Sequence, residues 1–311
     1  MNVLAPDEID FSAYLKESED KQRVRPAAEY VNDLTDQLGR PVKIKGQSLP
    51  WLKTRELFRF RPGEVTLWAG VNGHGKSLMS GMVALDMMAV GQKVCIASFE
   101  MKPHSTLKRM IRQWCGYSSD AELAAHQEAI AALRDLYEQF GVLADRRLWF
   151  YDQQGTVAPG QMIAVARYCA KELGIQHLFI DSLMKCVRGT DDYNAQKNFV
   201  GELTAIARDH DTHIHLIHHI RKLENELKMP DKTDVKGAGE ITDQVDNVLL
   251  VWRNKADRNP KTDADADAVL ICCKQRHGEW EGGINLWFDR DSQQYTEVKR
   301  GSVIDFSARV A

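Results

Sequence analysis

Eight consecutive residues, Gly70-Val71-Asn72-Gly73-His74-Gly75-Lys76-Ser77, carry the strongest chemical signal in this sequence. They satisfy G-x-x-x-x-G-K-S/T, the pattern of a phosphate-binding loop. Each residue type answers a need. Gly73 and Gly75 let the backbone wrap closely, so that loop N–H groups and the N-terminus of the following helix face phosphate oxygens. Lys76 is placed to reach the β- and γ-phosphates, and the Ser77 hydroxyl to ligate Mg²⁺. The expected ligand is ATP, or another nucleoside triphosphate, with Mg²⁺.

Such a loop needs a carboxylate near the metal, at the end of an adjacent apolar strand. His177-Leu178-Phe179-Ile180-Asp181 supplies Asp181, followed by Ser182. Hydrolysis also needs a group that activates or orients water. Glu100 closes the run VCIASF, at the carboxyl edge where open α/β sheets bind ligands. Either acid alone reads equally well as a helix cap; together, after the phosphate loop, they complete a nucleotide-hydrolysing site.

The elements that must hold these residues alternate. Glu64–Ala69 reads as a strand and Ser77–Val90 as an apolar helix stopped by Gly91. Val94–Phe99 is a strand, Thr106–Trp114 a helix, and Asp120–Phe140 a polar, alanine-rich helix. A strand at Leu148–Tyr151, a helix at Gln161–Leu173, a strand at His177–Ile180, a helix at Asn194–His210 and a strand at His213–Ile217 follow. Late strands at Val248–Trp252, Val269–Cys273 and Ile284–Phe288 follow one another closely. Buried strands separated by helices predict an α/β fold with a largely parallel sheet covered on both faces, ending in an antiparallel edge. Residues 1–45 are polar, with helical patterning at Ile9–Tyr14 and Ala27–Leu38. They read as an N-terminal helical arm or linker, docked on its own domain or a neighbour's, ahead of one domain over 46–311.

Taken in order, GEVTLWAGVNGHGKS, ASFEM, LFIDSL, HLIHHIRK, KGAGEITDQVDNVLLVWRN and KQRHG resemble the motifs of DnaB-type hexameric replicative helicases. Within them the succession is most similar to the helicase half of phage primase–helicases and of Twinkle, over roughly residues 46–298. The resemblance implies a RecA-like P-loop NTPase core. It implies Glu100 as catalytic base, Asp181 as the Mg²⁺-linked acid, and His219 as the polar residue that senses the γ-phosphate. Lys274 and Arg276 resemble the basic pair inserted into the neighbouring subunit's site, where an arginine stabilises the charge of the transferred phosphoryl group. Arg253 falls where the phage enzymes place a nucleotide-contacting arginine. A hexameric ring moving 5′→3′ on single-stranded DNA is the implied assembly, with primase or a loader as further partner. No zinc-binding primase module or large helical domain is expected ahead of residue 46, which puts primase activity beyond this chain.

Single-stranded DNA is gripped by its phosphates. Two loops following the site strands are candidates: one from Lys185 through Arg188 to Tyr193, and Arg221–Gly239 with Lys228, Lys232 and Lys236. Glu224, Glu226, Asp231 and Asp234 interrupt the second, which otherwise reads as a solvated connection. The net charge of −3 excludes a DNA-coating basic surface and confines any DNA contact to a local patch.

Other signals are weak. His210, His213, His215, His218 and His219 crowd together, but strand alternation splits them between faces, and core or sensor roles fit better than zinc. Asp263, Asp265 and Asp267 lack the glycine and terminal glutamate of a calcium loop. Six cysteines without metal spacing, no spanning apolar run and no signal-peptide pattern point to a cytoplasmic, membrane-free chain. Two other functions share most of these features: a RecA/RadA-type recombination ATPase, and a non-unwinding ATP-gated assembly factor such as a helicase loader or regulatory ring.

Overall fold

Short runs of consecutive apolar residues bury both their faces, and that requirement shapes the whole chain. The computed structural model describes residues 2–4, 9–15, 27, 31, 35, 46–116, 127–187, 192–221, 228–254 and 266–310. Its strands are β1 (Asn2–Leu4), β2 (Gln47–Ser48), β3 (Arg59–Phe60), β4 (Val65–Ala69), β5 (Val94–Ser98), β6 (Leu148–Tyr151), β7 (His177–Asp181), β8 (His213–Ile217), β9 (Asn247–Arg253), β10 (Ala268–Gln275), β11 (Gly282–Phe288) and β12 (Tyr295–Thr296). The helices are α1 (Lys76–Ala89), α2 (Pro103–Cys115), α3 (Gln127–Asp145), α4 (Pro159–Lys171), α5 (Leu183–Cys186), α6 (Tyr193–His210) and α7 (Ala238–Thr242).

Ten strands form one sheet in the order β1-β6-β5-β7-β8-β4-β9-β10-β11-β12, while β2 and β3 pair separately. All neighbours from β1 to β9 run parallel; β9, β10, β11 and β12 are antiparallel in turn. Side-chain alternation divides the core. Leu67, Cys95, Leu178 and Ile180 pack with α4 and α6 on one face. Trp68, Ile96 and Phe179 pack with α1, α2 and α3 on the other. Helix α1 is apolar nearly all round because it lies between the sheet and two other helices.

The chain's beginning differs from a purely helical arm. Asn2–Leu4 extends the sheet beside β6, and Phe11–Tyr14 is a single 3₁₀ turn. Phe11 packs edge-on against Tyr151 and Tyr168, and Arg167 donates to the carbonyls of Tyr14 and Leu15 at 2.9 and 3.1 Å. An edge strand of three residues is too short for its periodicity to register in a sequence. Ala27, Val31 and Thr35 lie on helical backbone; the rest of the Ala27–Leu38 segment falls outside the described residues, as do 117–126 at the start of the alanine-rich helix.

Near the end of the chain, Arg309 ion-pairs with Asp86 of α1 and donates to the carbonyl of Pro50 at 3.0 Å. Burial raises the Asp86 carboxyl, and Arg309 opposes that rise. This strap ties the far end of the helix that follows the phosphate loop to the domain's rim.

Candidate functional site

Parallel strands deliver their following loops to one edge of a sheet, and the chemistry collects there. The loops after β4, β5, β7 and β8 begin the phosphate loop and carry Glu100, Asp181 and His219 respectively. Strands β7 and β8 lie between β5 and β4, so the four loop ends surround one crevice.

The loop Gly70–Ser77 turns tightly. Gly75 holds φ +93°, and a Cβ there would strike the Tyr295 hydroxyl. A Cβ on Gly70 would strike the carbonyl oxygen of Val251 on β9. Close approach thus requires both glycines, and backbone conformation requires Gly75 as well. His74 is fully buried and its Nδ1 accepts the backbone N–H of Arg253 at 3.1 Å, which fastens the loop to the end of β9. Lys76 Nζ donates to the carbonyls of Gly70 and Val71 at 2.9 and 3.1 Å. Burial lowers the Lys76 ammonium, and the charges of Asp181 and Glu100 oppose that shift.

Ser77 Oγ donates to Asp181 Oδ2 at 2.8 Å. Burial raises the Asp181 carboxyl; the Ser77 hydrogen bond, Lys76 and Arg109 lower it, while Glu100 adds to the rise. A hydroxyl and a carboxylate adjoining the phosphate loop are hard oxygen donors of the kind Mg²⁺ takes. The donor set fits the metal.

Glu100 lies two residues beyond the end of β5 rather than on it. The turn is fixed by Phe99 N–H donating to the Asp181 carbonyl at 2.8 Å and by Met101 N–H donating to Ser98 Oγ at 3.3 Å. Its carboxylate stays half-exposed, with Oε1 3.8 Å from His219 Nε2. That separation exceeds a hydrogen bond and leaves the pair electrostatically linked. Burial lowers the His219 imidazole, with Lys76 adding to the effect and Glu100 opposing it. His219 is thus held toward its neutral form beside a carboxylate and a lysine.

The segment after His219 is more structured than a free 19-residue connection. Ile220 bridges Val235, which is fully buried, and Lys232–Asp234 forms a capped 3₁₀ turn before α7. His218 pairs through Nε2 with the Lys236 carbonyl at 2.9 Å, and Lys236 N–H donates to the His219 carbonyl at 3.3 Å. Lys228 and Lys232 are exposed, and Lys236 is half-buried. Lys185 sits on α5, directly after Asp181 and Ser182. Arg188 and residues 222–227 lie outside the described residues.

Lys274 and Arg276 are not part of this cluster. Strand β10 runs antiparallel to β9, pairing Lys274 with Val248 and Gln275 with Asn247, at the opposite edge of the sheet from the phosphate loop. Arg276 Nε is 3.1 Å from the buried Asp246 carboxylate, and Lys274 Nζ donates to the carbonyls of Thr242, Asp243 and Val245 at 2.7–3.2 Å. Arg253, in contrast, ends β9 beside the loop.

The remaining histidines of the strands are core groups. His213 contacts Thr66 Oγ1 at 2.8 Å and the Arg61 carbonyl at 2.6 Å, and His215 accepts from Trp68 Nε1 at 3.2 Å. His215 also meets His177 at 3.1 Å and stacks on Phe179. Asp267 Oδ2 accepts the N–H of Phe288 at 3.0 Å, while Asp263 and Asp265 fall outside the described residues. Among the described residues no helix is long and apolar enough to cross a membrane.

Two residues near the site carry no motif. Tyr295 stands against Gly75, its phenol raised to about 12 by burial. Arg109 projects from α2 toward Asp181. A faint cue existed: Thr106, Arg109 and Gln113 share the helical face of buried Met110, which puts polar groups on the side α2 turns inward.

Comparison with known proteins fits this geometry. The DnaB-like helicase C-terminal domain family matches residues 55–297. The Twinkle homolog protein, chloroplastic/mitochondrial, of Arabidopsis thaliana is 21% identical over 268 residues, covering 81% of this chain. The chain spans only 36% of that relative's length. Among solved structures, the isolated ATPase domain of a phage protein superposes with a TM-score of 0.71 at 16% identity, over 90% of this chain and 100% of that one. A DnaB-like replicative helicase, described with its interactions with primase, gives 0.71 at 16% identity, over 91% of this chain and 69% of that one. Those two likenesses establish a common fold. A family match over most of the chain, on the same fold, places this protein in the DnaB-like helicase C-terminal domain family.

Proposed function

We propose that this chain is the ATP-hydrolysing motor of a ring-shaped replicative DNA helicase, with residues 46–311 as the motor domain and residues 1–45 as its arm. One observation carries the reading. The phosphate loop, Ser77, Asp181, Glu100 and His219 converge at one edge of the sheet, while Lys274 and Arg276 stand at the other. A single copy holds a nearly complete nucleotide site and, far from it, the cations suited to finish a second one. Copies arranged head to tail join the two halves, and such heterologous contacts close into rings.

In this reading the nucleotide's phosphates lie against the N–H groups of Gly70–Ser77, contacted by Lys76. Ser77 and Asp181 hold Mg²⁺, which when bound polarises the phosphoryl oxygens. Glu100 orients the attacking water and takes its proton. His219 reports the γ-phosphate, and its backbone link to Lys236 passes that report to the loop carrying Lys228 and Lys232. Lys185, Arg188, Lys228, Lys232 and Lys236 are the proposed DNA contacts; Arg253 is the proposed nucleotide contact beside the loop. A hexamer, a primase or loader partner, and the cytoplasm of a bacterial or phage-infected cell complete the proposal. Six unpaired cysteines suit that reducing compartment.

Hydrolysis measured with and without single-stranded DNA tests this directly. Stimulation of several-fold is expected. Neutralising Lys228 and Lys232 together should lower the salt dependence of DNA affinity by roughly two phosphate contacts on a log–log plot. Hydrolysis indifferent to DNA would instead favour a loader or regulatory ring.

A further inference from the structure

Between α1, α2 and the sheet lies a cavity of about 30 Å³, lined in part by Ser77, Ser98, Thr106, Arg109, Gln113 and Asp181. It is large enough for ordered water. Its walls are polar where water would be needed. Thr106 Oγ1 and Gln113 Oε1 are buried without a hydrogen-bond partner among the described residues, and Gln113 is fully buried. Groups of this kind are almost always satisfied, by water where protein supplies nothing.

Arg109 reaches this cavity half-buried, and its charge acts on Asp181 across it. No direct ion pair joins the two among the described residues. Asp181 is anchored from one side only, through Oδ2 to Ser77. A metal-ligating carboxylate commonly depends on a further partner to fix its plane, and loss of such a partner costs about 10- to 100-fold in metal affinity.

We propose that Arg109 is a positioning residue that orients the Asp181 carboxylate for Mg²⁺ through water ordered in this cavity, without touching the nucleotide. The proposal rests on the reading of Gly70–Ser77 as the nucleotide site. A guanidinium near a divalent ion also repels it, so the two effects have opposite signs and experiment separates them.

The test is titration of Mg²⁺ against binding of a fluorescent ATP analogue and of the matching ADP analogue. The wild type is compared with Arg109→Met and Arg109→Lys, and thermal melts verify folding. Arg109→Met should raise the half-saturating Mg²⁺ about ten-fold or more for both nucleotides and leave metal-free nucleotide affinity unchanged, with Arg109→Lys intermediate. Unchanged or lower Mg²⁺ demand in Arg109→Met would overturn the proposal, showing repulsion or no coupling. A loss confined to the ATP analogue and independent of Mg²⁺ would overturn it too, making Arg109 a γ-phosphate ligand. If Arg109→Met fails to fold, the Lys variant carries the test alone, and a wild-type Mg²⁺ curve there counts against the role. A wild type that binds neither nucleotide would remove the underlying site reading itself.

Discussion

Replacing Arg276 with alanine should reduce ATP hydrolysis by about 10³-fold or more while nucleotide binding persists. The expectation follows from where the residue sits. Arg276 leaves the strand end at the sheet edge opposite the phosphate loop, so it cannot serve the site of its own chain. Within the chain it pairs with Asp246, which also accepts the N–H of Val65 at 2.9 Å and lies 3.6 Å from Arg208. Removing Arg276 therefore carries some stability cost as well, and a simple loss of activity would be ambiguous. Mixing resolves it. Arg276→Ala subunits retain Glu100, and Glu100→Gln subunits retain Arg276, so each variant is inactive alone. At interfaces where the first supplies the nucleotide site and the second supplies the arginine, hydrolysis should return. A misfolded variant could not complement, and an arginine acting within its own chain would give no recovery. Lys274 is the weaker partner in this role, because its ammonium already clamps three carbonyls at the end of α7.

The second large effect concerns acid. His177, His213, His215 and His218 are all buried, and burial lowers each imidazole: His213 and His218 to about 4, His177 and His215 well below the usual value. The unfolded chain protonates these groups near pH ~6.5, and the folded chain does not. Below that pH the unfolded state binds more protons, so folding stability is present at neutral pH and lost as the pH falls from about 6.5 toward 4. Between about pH 7.5 and about pH 5.5 each histidine costs roughly 1 kcal/mol, on the order of 5 kcal/mol for the four together. For a chain of this size that is about 8 °C in Tm. Asp86 and Asp181, raised by burial, act in the opposite direction and soften the loss. Calorimetric melts at about pH 7.5 and about pH 5.5 measure it; an unchanged Tm would contradict neutral, buried imidazoles.

The same histidines show what a sequence can and cannot disclose. Crowded spacing suggests metal chemistry, and strand alternation alone is enough to doubt it. The actual network of Thr66, Trp68 and the Arg61 carbonyl comes from strands β4 and β8 being neighbours, which no local pattern encodes. The parallel sheet and its antiparallel edge are legible because apolar runs and intervening helices are local signals. So is the phosphate loop, whose chemistry resides in consecutive residues. Strand order is not legible, and with it go the short strand Asn2–Leu4, the burial of Val235 and the approach of Tyr295 to Gly75. Arg109 escapes notice for a related reason: its meaning depends on how α2 turns against α1, and one arginine on a helix announces nothing. The separation of Arg276 from the loop can be known only from the register of β10 on β9.

The most direct measurement is unwinding of a forked duplex with one labelled strand, by the wild type and by Lys76→Ala. A ring-shaped motor of this kind should release the strand in the presence of ATP, should require a single-stranded tail, and should lose all release in Lys76→Ala. Robust DNA-stimulated hydrolysis with no strand release, or release that Lys76→Ala retains, would contradict it.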